Sequence, residues 1–275
     1  MFKKPGLYLI ATPIGNLLDI TLRALEFLKE CDVIYCEDTR TTRKLLEKHL
    51  IVKKKLRKYT DHDTHVLQEI LEQIDAGAMV ALVSDAGTPL ISDPGYKLVR
   101  YVLQCNRYVD AIPGPCAIIN ALSLSGLPTD SFYFGGFLAK TVSQRKKQLY
   151  DCSFLSTTLV FYDTAPRLEE SLRVSMDVLG DQECAVVREM TKVYQEAVRG
   201  KLSDLIQFKT QGELVLLIAN RPQCDTNEDA LRTEIMHQLQ QKLSTKQIVQ
   251  ELEHLWNKKQ LYKMIQEIKT KLINL

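Results

Sequence analysis

Residues 79–95 read MVALV followed by SDAGTPLISDPG. Five apolar residues give way to twelve that hold two glycines, two prolines and two aspartates. An apolar run without polar alternation suits a strand buried on both faces of a parallel sheet. Glycine lets a backbone approach a ligand closely, and proline fixes the turn that does so. In an open parallel sheet, ligands bind beyond the carboxyl ends of the strands, so this turn is the first place to look for chemistry.

The same texture extends outward. Residues 7–11 (LYLIA) and 33–36 (VIYC) are further apolar runs. Between them lie helical patterns: Leu22, Leu25 and Leu28, then Val66, Ile70, Leu71 and Ile74 before Gly77. Asp93-Pro94-Gly95 reads as a helix N-cap followed by proline at the first helical position, and Gly114-Pro115 repeats it. Strand–helix alternation predicts an α/β domain over 1–125 with a mostly parallel sheet and right-handed crossovers. The breaker-rich SGLPTD at 125–130 reads as a linker. Strands are expected at 132–137, 158–162, 185–188 and 213–219, and helices at 143–152, 166–179 and 201–208. Residues 193–200 follow a strand with little helical signal, which predicts a mixed sheet in a second α/β domain, 126–222. From 227 on there is no glycine or proline. A helical appendage, 223–275, is expected, with Leu231, Ile235, Leu239 and Leu243 as one stripe and capping boxes at Ser244/Gln247 and Asn257/Gln260. Its lysines leave two readings open: a solvated face, or a face that docks nucleic acid.

Composition excludes several classes. The 275 residues are 45% hydrophobic and 25% charged, an ordinary globular balance, with a formal charge of only +2. No apolar run approaches the roughly 20 residues of a membrane span, and no secretory signal is recognisable at 1–10. Seven cysteines, at 31, 36, 105, 116, 152, 184 and 224, form no C-x-x-C. They read as reduced thiols of a cytoplasmic protein, without disulfide or metal roles.

Two more turns combine glycine with proline: ATPIGN at 11–16 and IPGPCA at 112–117. Neither G-x-G-x-x-G nor G-x-x-x-x-G-K-[ST] occurs, which disfavours a nicotinamide oxidoreductase and a P-loop. The 84–95 turn carries Asp85 and Asp93 but no lysine or arginine. Phosphate cradles favour amides and basic side chains, so this turn suits a ligand rich in donors or positively charged. S-adenosyl-L-methionine, with its ammonium, sulfonium and hydroxyls, fits. A fourth cluster is EDTRTTRK at 37–44. There Asp38 or Thr39 caps a helix, or Asp38 and Arg40 meet a polar substrate. Arg43, Lys44, the run Lys53-Lys54-Lys55-Leu56-Arg57-Lys58 and Arg145-Lys146-Lys147 are surface charge, or phosphate contacts if they flank a cleft.

These strings together (ATPIGNL at 11–17, EDTR at 37–40, SDAGTPLISDPG, PGPCA at 113–117, SGLPTD and REMTK at 188–192) resemble the bacterial 2′-O-methyltransferases that modify a cytidine ribose of 16S ribosomal RNA, in the tetrapyrrole-methylase superfamily. The resemblance implies two α/β domains with S-adenosyl-L-methionine in the cleft between them, a homodimer, 16S ribosomal RNA or the small ribosomal subunit as partner, and no Mg²⁺ or other metal. Carried over by position, cofactor contacts come from Pro13, Ile14 and Gly15, from Ser84, Asp85, Gly87, Thr88, Pro89 and Ile91, from Gly114, Pro115, Cys116 and Ala117, and from Tyr162. Asp38, Arg40, Asp85, Asp93 and Lys192 are the candidates for catalysis. Where the family reads F-Y-E-S-P-H-R-L, this chain has FYDTAPRL at 161–168, so no histidine role carries over. The rival readings are a tetrapyrrole or protein substrate for the same chemistry, or a non-catalytic RNA-binding protein.

Overall fold

The structure, a computed structural model, describes residues 4–62, 64–221, 228–241, 243–252 and 258–273. They form two compact units, one over 1–152 and 157–220, the other over 153–156 and 221–275.

The first unit contains two five-stranded sheets. The first is built from β1 (Gly6–Ile10), β2 (Val33–Cys36), β3 (Leu56–Lys58), β4 (Met79–Val83) and β5 (Val109–Ile112), in the order β3-β2-β4-β1-β5, every pairing parallel. Side chains alternate across a strand, and β4 shows the result. Met79, Ala81 and Val83 pack on one face with Ala24, Phe27 and Leu28 of α1 (Leu22–Glu30) and Leu46 of α2 (Thr39–Lys48). Val80 and Leu82 pack on the other with Ile70 and Ile74 of α3 (Thr64–Asp75) and Leu98 and Val102 of α4 (Tyr96–Gln104). Fully burying each of the larger apolar side chains among these contributes about 1.5–3 kcal/mol, so the sheet is held from both sides. The strand β3 was not foreseen: its sequence, LRK, is half of the basic run, and β2 templates it at the sheet edge.

Helix α5 (Ala117–Ser125) follows β5, yet buries Ile118, Ala121 and Leu122 against the second sheet. The chain thus passes from one sheet to the other before α5, whereas the sequence placed the boundary after it. The second sheet comprises β6 (Phe132–Phe137), β7 (Thr157–Thr164), β8 (Glu183–Arg188), β9 (Glu196–Lys201) and β10 (Glu213–Asn220), in the order β6-β7-β10-β8-β9. Only β6 and β7 run parallel, so the sheet is mixed, as expected. Helices α6 (Val142–Tyr150), α7 (Leu168–Leu179) and α8 (Leu202–Leu205) complete it.

Three local expectations need correcting. Asp93-Pro94 does not start α4: Gly95 is the N-cap, at φ +136°, and no side chain caps the helix. Likewise Cys116, not Gly114, is the N-cap of α5. Arg145 is not surface charge. It is wholly buried, donating to the Ala139 and Lys140 carbonyls and pairing with Glu170 at 3.1 Å.

In the second unit, Leu231 and Ile235 of α9 (Glu228–Gln240), Ile248 and Leu252 of α10 (Thr245–Leu252), and Leu261, Ile265 and Ile268 of α11 (Lys258–Ile273) form one buried cluster, flanked by Leu239 and Leu243. The Ser244/Gln247 capping box is formed in both directions; Asn257 lies outside the described residues.

Candidate functional site between the two sheets

Three turns at the carboxyl ends of β1, β4 and β5 are laced together. Thr12 and Gly87 exchange backbone hydrogen bonds at 2.8 and 3.0 Å. The Thr12 hydroxyl donates to the Ser84 carbonyl at 3.0 Å, and Ser84 Oγ donates to the Gly87 carbonyl at 3.1 Å. Thr88 Oγ1 donates to the Pro115 carbonyl at 3.0 Å. Gly87 sits at φ +85°, where glycine is favoured, and a Cβ on Gly114 would lie 3.0 Å from that of Ala11. Leu90 and Ser92 are also left-handed, at φ +73° and +67°. Such backbone in non-glycine residues costs of order 1–3 kcal/mol each and clusters at ligand clamps.

The turn after β8 faces them. It too contains left-handed residues, Glu189 at φ +47° and Thr191 at φ +64°. The Asn16 N–H donates to Thr191 Oγ1 at 2.9 Å. Gly15 is packed so closely on this turn that a Cβ would lie 2.8 Å from the Met190 carbonyl oxygen and 2.7 Å from Thr191 Oγ1.

A cavity of about 190 Å³ lies between these turns. Its walls are Ile14, Ala86, Ile91, Ser92 and Asp93 from the first sheet's turns, Ala117 from α5, and Phe137, Tyr162, Asp163, Glu189, Met190, Lys192 and Glu213–Val215 from the second sheet. Tyr162 is packed between Phe134 and Phe137, with centroids 5.0 and 5.2 Å away, and burial pushes its hydroxyl pKa up.

The ionisable groups differ in their commitments. Asp163 is buried and bound to Arg167 at 2.6 Å, with Ser171 donating to it. Lys192 and Glu189 pair at 3.1 Å. Asp85 Oδ1 accepts the Asp38 N–H at 3.0 Å, tying the turn after β4 to the one after β2. Asp38 caps α2, and Arg40 donates to both its oxygens; those bonds hold its carboxyl down at about 2. Asp93 is different. Burial, then the neighbouring Glu37 carboxylate, raise it to about 6.

Of the residues singled out by sequence, Ile14, Ile91, Asp93, Ala117, Tyr162 and Lys192 therefore line the cavity. Pro13, Ser84 and Asp85 line a smaller hollow of about 30 Å³ with Thr41 and Thr42. Gly15, Gly87, Thr88, Pro89, Gly114, Pro115 and Cys116 belong to the turns themselves. Asp38 and Arg40 line neither hollow; they serve the helix start. Sequence reasoning missed Phe137, Glu189, Met190 and the start of β10; for Glu189 and Met190 the REMTK string was the available signal.

Lys53, Lys55, Arg57 and Lys58 are exposed at the β3 edge, and Arg43 and Lys44 on α2. Lys54 instead donates to the Cys31 carbonyl at 2.7 Å. Lys146 pairs with Asp177 at 3.3 Å, and Lys147 is exposed. The six described cysteines are free; burial pushes the Cys31 and Cys152 thiols up to about 11. Among the described residues no cluster of His, Cys, Asp or Glu is arranged to hold a metal ion, and no helix is long and apolar enough to cross a membrane.

Residues 6–206 match the family model of the tetrapyrrole (corrin/porphyrin) methylases. The chain belongs to that family. Among the relatives of this methylase, a protein of Rickettsia prowazekii named ribosomal RNA small subunit methyltransferase I is 44% identical over 278 residues, covering 98% of this chain and 99% of its own. One of the same name from Vibrio cholerae is 44% identical over 221 residues, covering 78% of this chain and 77% of its own. Solved structures share the fold. A cobalt precorrin-4 methyltransferase matches with a TM-score of 0.56 at 17% identity, over 78% of this methylase and 96% of its own chain. A conserved hypothetical protein from Aeropyrum pernix matches with 0.60 at 16% identity, over 80% and 86%.

Proposed function

We propose that this methylase uses S-adenosyl-L-methionine to methylate the ribose 2′-oxygen of a cytidine in 16S ribosomal RNA. The observation that carries the reading is the 44% identity to the Rickettsia ribosomal RNA methyltransferase over essentially both full lengths. It is joined to a cavity whose glycine-built turns and Asp93 carboxylate suit a donor-rich, cationic ligand.

The residues present fit that ligand. Gly87 and Gly114 leave backbone where side chains would otherwise stand, Ile14, Ile91 and Ala117 offer apolar walls, and Asp93 offers a carboxylate toward positive charge. When bound, S-adenosyl-L-methionine supplies a methyl group on a sulfonium, already activated for transfer. The chain's task is then alignment, and effective molarities for well-oriented reactants correspond to about 7–11 kcal/mol of barrier. The turns are suited to this because they are cross-bonded and hold backbone conformations that only a well-packed surrounding maintains. Tyr162 and Phe137 give one wall an aromatic lining. A ribose hydroxyl must also lose its proton, and Asp93 is the residue assigned to accept it at Oδ. Its carboxyl is poised near 6, close to working pH, where general-base catalysis is effective. Asp38, Asp85 and Lys192 are committed to Arg40, to the Asp38 N–H and to Glu189.

The RNA-contacting groups are Arg43, Lys44, Lys53, Lys55, Arg57, Lys58 and Lys147, exposed cations suited to phosphates. The reading includes the homodimer and cytoplasmic site of action that the family resemblance implies. Mass mapping of ribosomal RNA nucleosides from cells with and without this chain tests the function. A 2′-O-methylcytidine that disappears with the gene is the expected result. Methyl transfer from labelled donor to porphyrinoids, and none to small subunits, would overturn it.

A further inference from the structure

We infer that the tip of the β8–β9 turn is a stacking platform for an unpaired base of the RNA substrate, with Tyr194 as its flat face. The inference rests on the substrate class proposed above and adds the subsite that holds it.

The turn is built rigidly around side chains that turns seldom carry. The Gln195 N–H donates to the Lys192 carbonyl at 3.1 Å, closing a four-residue turn with Val193 and Tyr194 at its centre. Gln195 Oε1 accepts the Thr191 N–H at 2.6 Å, and Thr191 Oγ1 anchors the base of the turn to Asn16. Central turn positions usually hold Gly, Pro, Asn, Asp or Ser. Here Val193 and Tyr194 are 93% and 74% exposed. The turn thus presents the flat face of the Tyr194 ring to solvent on a hydrogen-bonded support.

Position and charge say which one. Lys192, the first residue of the turn, lines the cavity, so Tyr194 stands two residues along the chain from the cavity wall. Tyr194 also borders an open hollow of about 560 Å³ that shares Glu189 with the cavity. The two cations of that hollow are matched, Arg188 by Glu196 at 2.8 Å and Lys209 by Glu169 at 2.9 Å. The hollow therefore offers little net positive charge to a phosphate, and Tyr194 is the one aromatic ring among its described lining residues. Every nucleobase has a π-face, and single-stranded RNA is held by stacking on such side chains.

The test is binding of a fluorescein-labelled single-stranded oligocytidylate to the full chain, followed by anisotropy across a salt series. Y194A is expected to weaken binding about ten- to a hundredfold. Donor affinity by calorimetry should stay unchanged, as should the slope of log affinity against log salt. Y194F and Y194W should bind like the unsubstituted chain, because stacking needs the ring and not the hydroxyl. Unaltered binding by Y194A, which would leave the tip to a protein partner, overturns the inference. So does a loss in Y194F equal to that in Y194A, or a flattened salt slope. Turnover of the unsubstituted chain on small subunits tests the substrate reading separately.

Discussion

The Asn16 N–H donates to the Thr191 hydroxyl across 175 positions of sequence, at 2.9 Å. This one bond joins the turn after β1 to the turn after β8, and with Gly15 wedged beside it the two sheets share a wall of the cavity.

Gly15→Ala should open that seam. The added methyl would meet a carbonyl oxygen and two side chains inside 3 Å, and overpacking of this kind costs about 1–3 kcal/mol. We expect a lower Tm and a donor affinity reduced at least about tenfold, measured by calorimetry. Thr191→Ser, which keeps the hydroxyl, should bind donor far better than Thr191→Val.

Asp93 sets the pH behaviour. Its carboxyl is raised to about 6 in the folded chain from an ordinary 3.8. A rate that needs the carboxylate rises with pH through about 6 and then levels. Asp93→Asn should lower kcat by about 10²–10⁴ and erase that limb, and should also weaken donor binding, because the carboxylate that faces the cationic ligand is lost. Stability moves the opposite way. Between about pH 4 and 6 the folded chain keeps a proton that the unfolded chain has released, so stability falls as pH rises. At pH 7 the Asn variant should therefore be the more stable, read by denaturant titration at both ends of the window.

Arg145→Met should act on folding and not on RNA. It leaves the Ala139 and Lys140 carbonyls without their donor, at about 1–3 kcal/mol for each group left unsatisfied. A shift in the denaturation midpoint with unchanged RNA affinity is expected; weakened RNA binding in a fully folded variant would reverse that assignment.

Replacing Lys53, Lys55, Arg57 and Lys58 by alanine should weaken RNA binding and reduce the steepness of its salt dependence, by about 0.7–0.9 for each phosphate no longer neutralised. Lys54→Ala should not belong to that series, since its ammonium already serves the Cys31 carbonyl.

Sequence made the three central strands of the first sheet, β2, β4 and β1, legible because a strand buried on both faces is a run of apolar residues and nothing else, as in 79–83; the edge strands β3 and β5, less buried, do not read that way. It also made the three glycine–proline turns legible, because their residues are chosen by backbone geometry. Arg145 was not legible: beside two lysines it reads as solvated charge, and only the packing of α6 against α7 buries it. The role of Asp93 was blurred for a similar reason. A D-P-G string is a good helix start, and what overrides it is Gly95, whose missing side chain lets Leu82 and Leu90 close in and shifts the start of α4. The reach of α5 to the second sheet, and the meeting of Gly15 with Thr191, depend on long-range packing that no local pattern encodes.

The basic strand β3 also guards a border. It is three residues long and ends its sheet, with one row of backbone donors and acceptors facing no neighbour strand among the described residues. Lysine and arginine on such a border keep chains from zipping together into fibres. Neutral versions of β3 should thus lose solubility as they lose RNA, and glutamate replacements, which also repel, are the better instruments for separating the two.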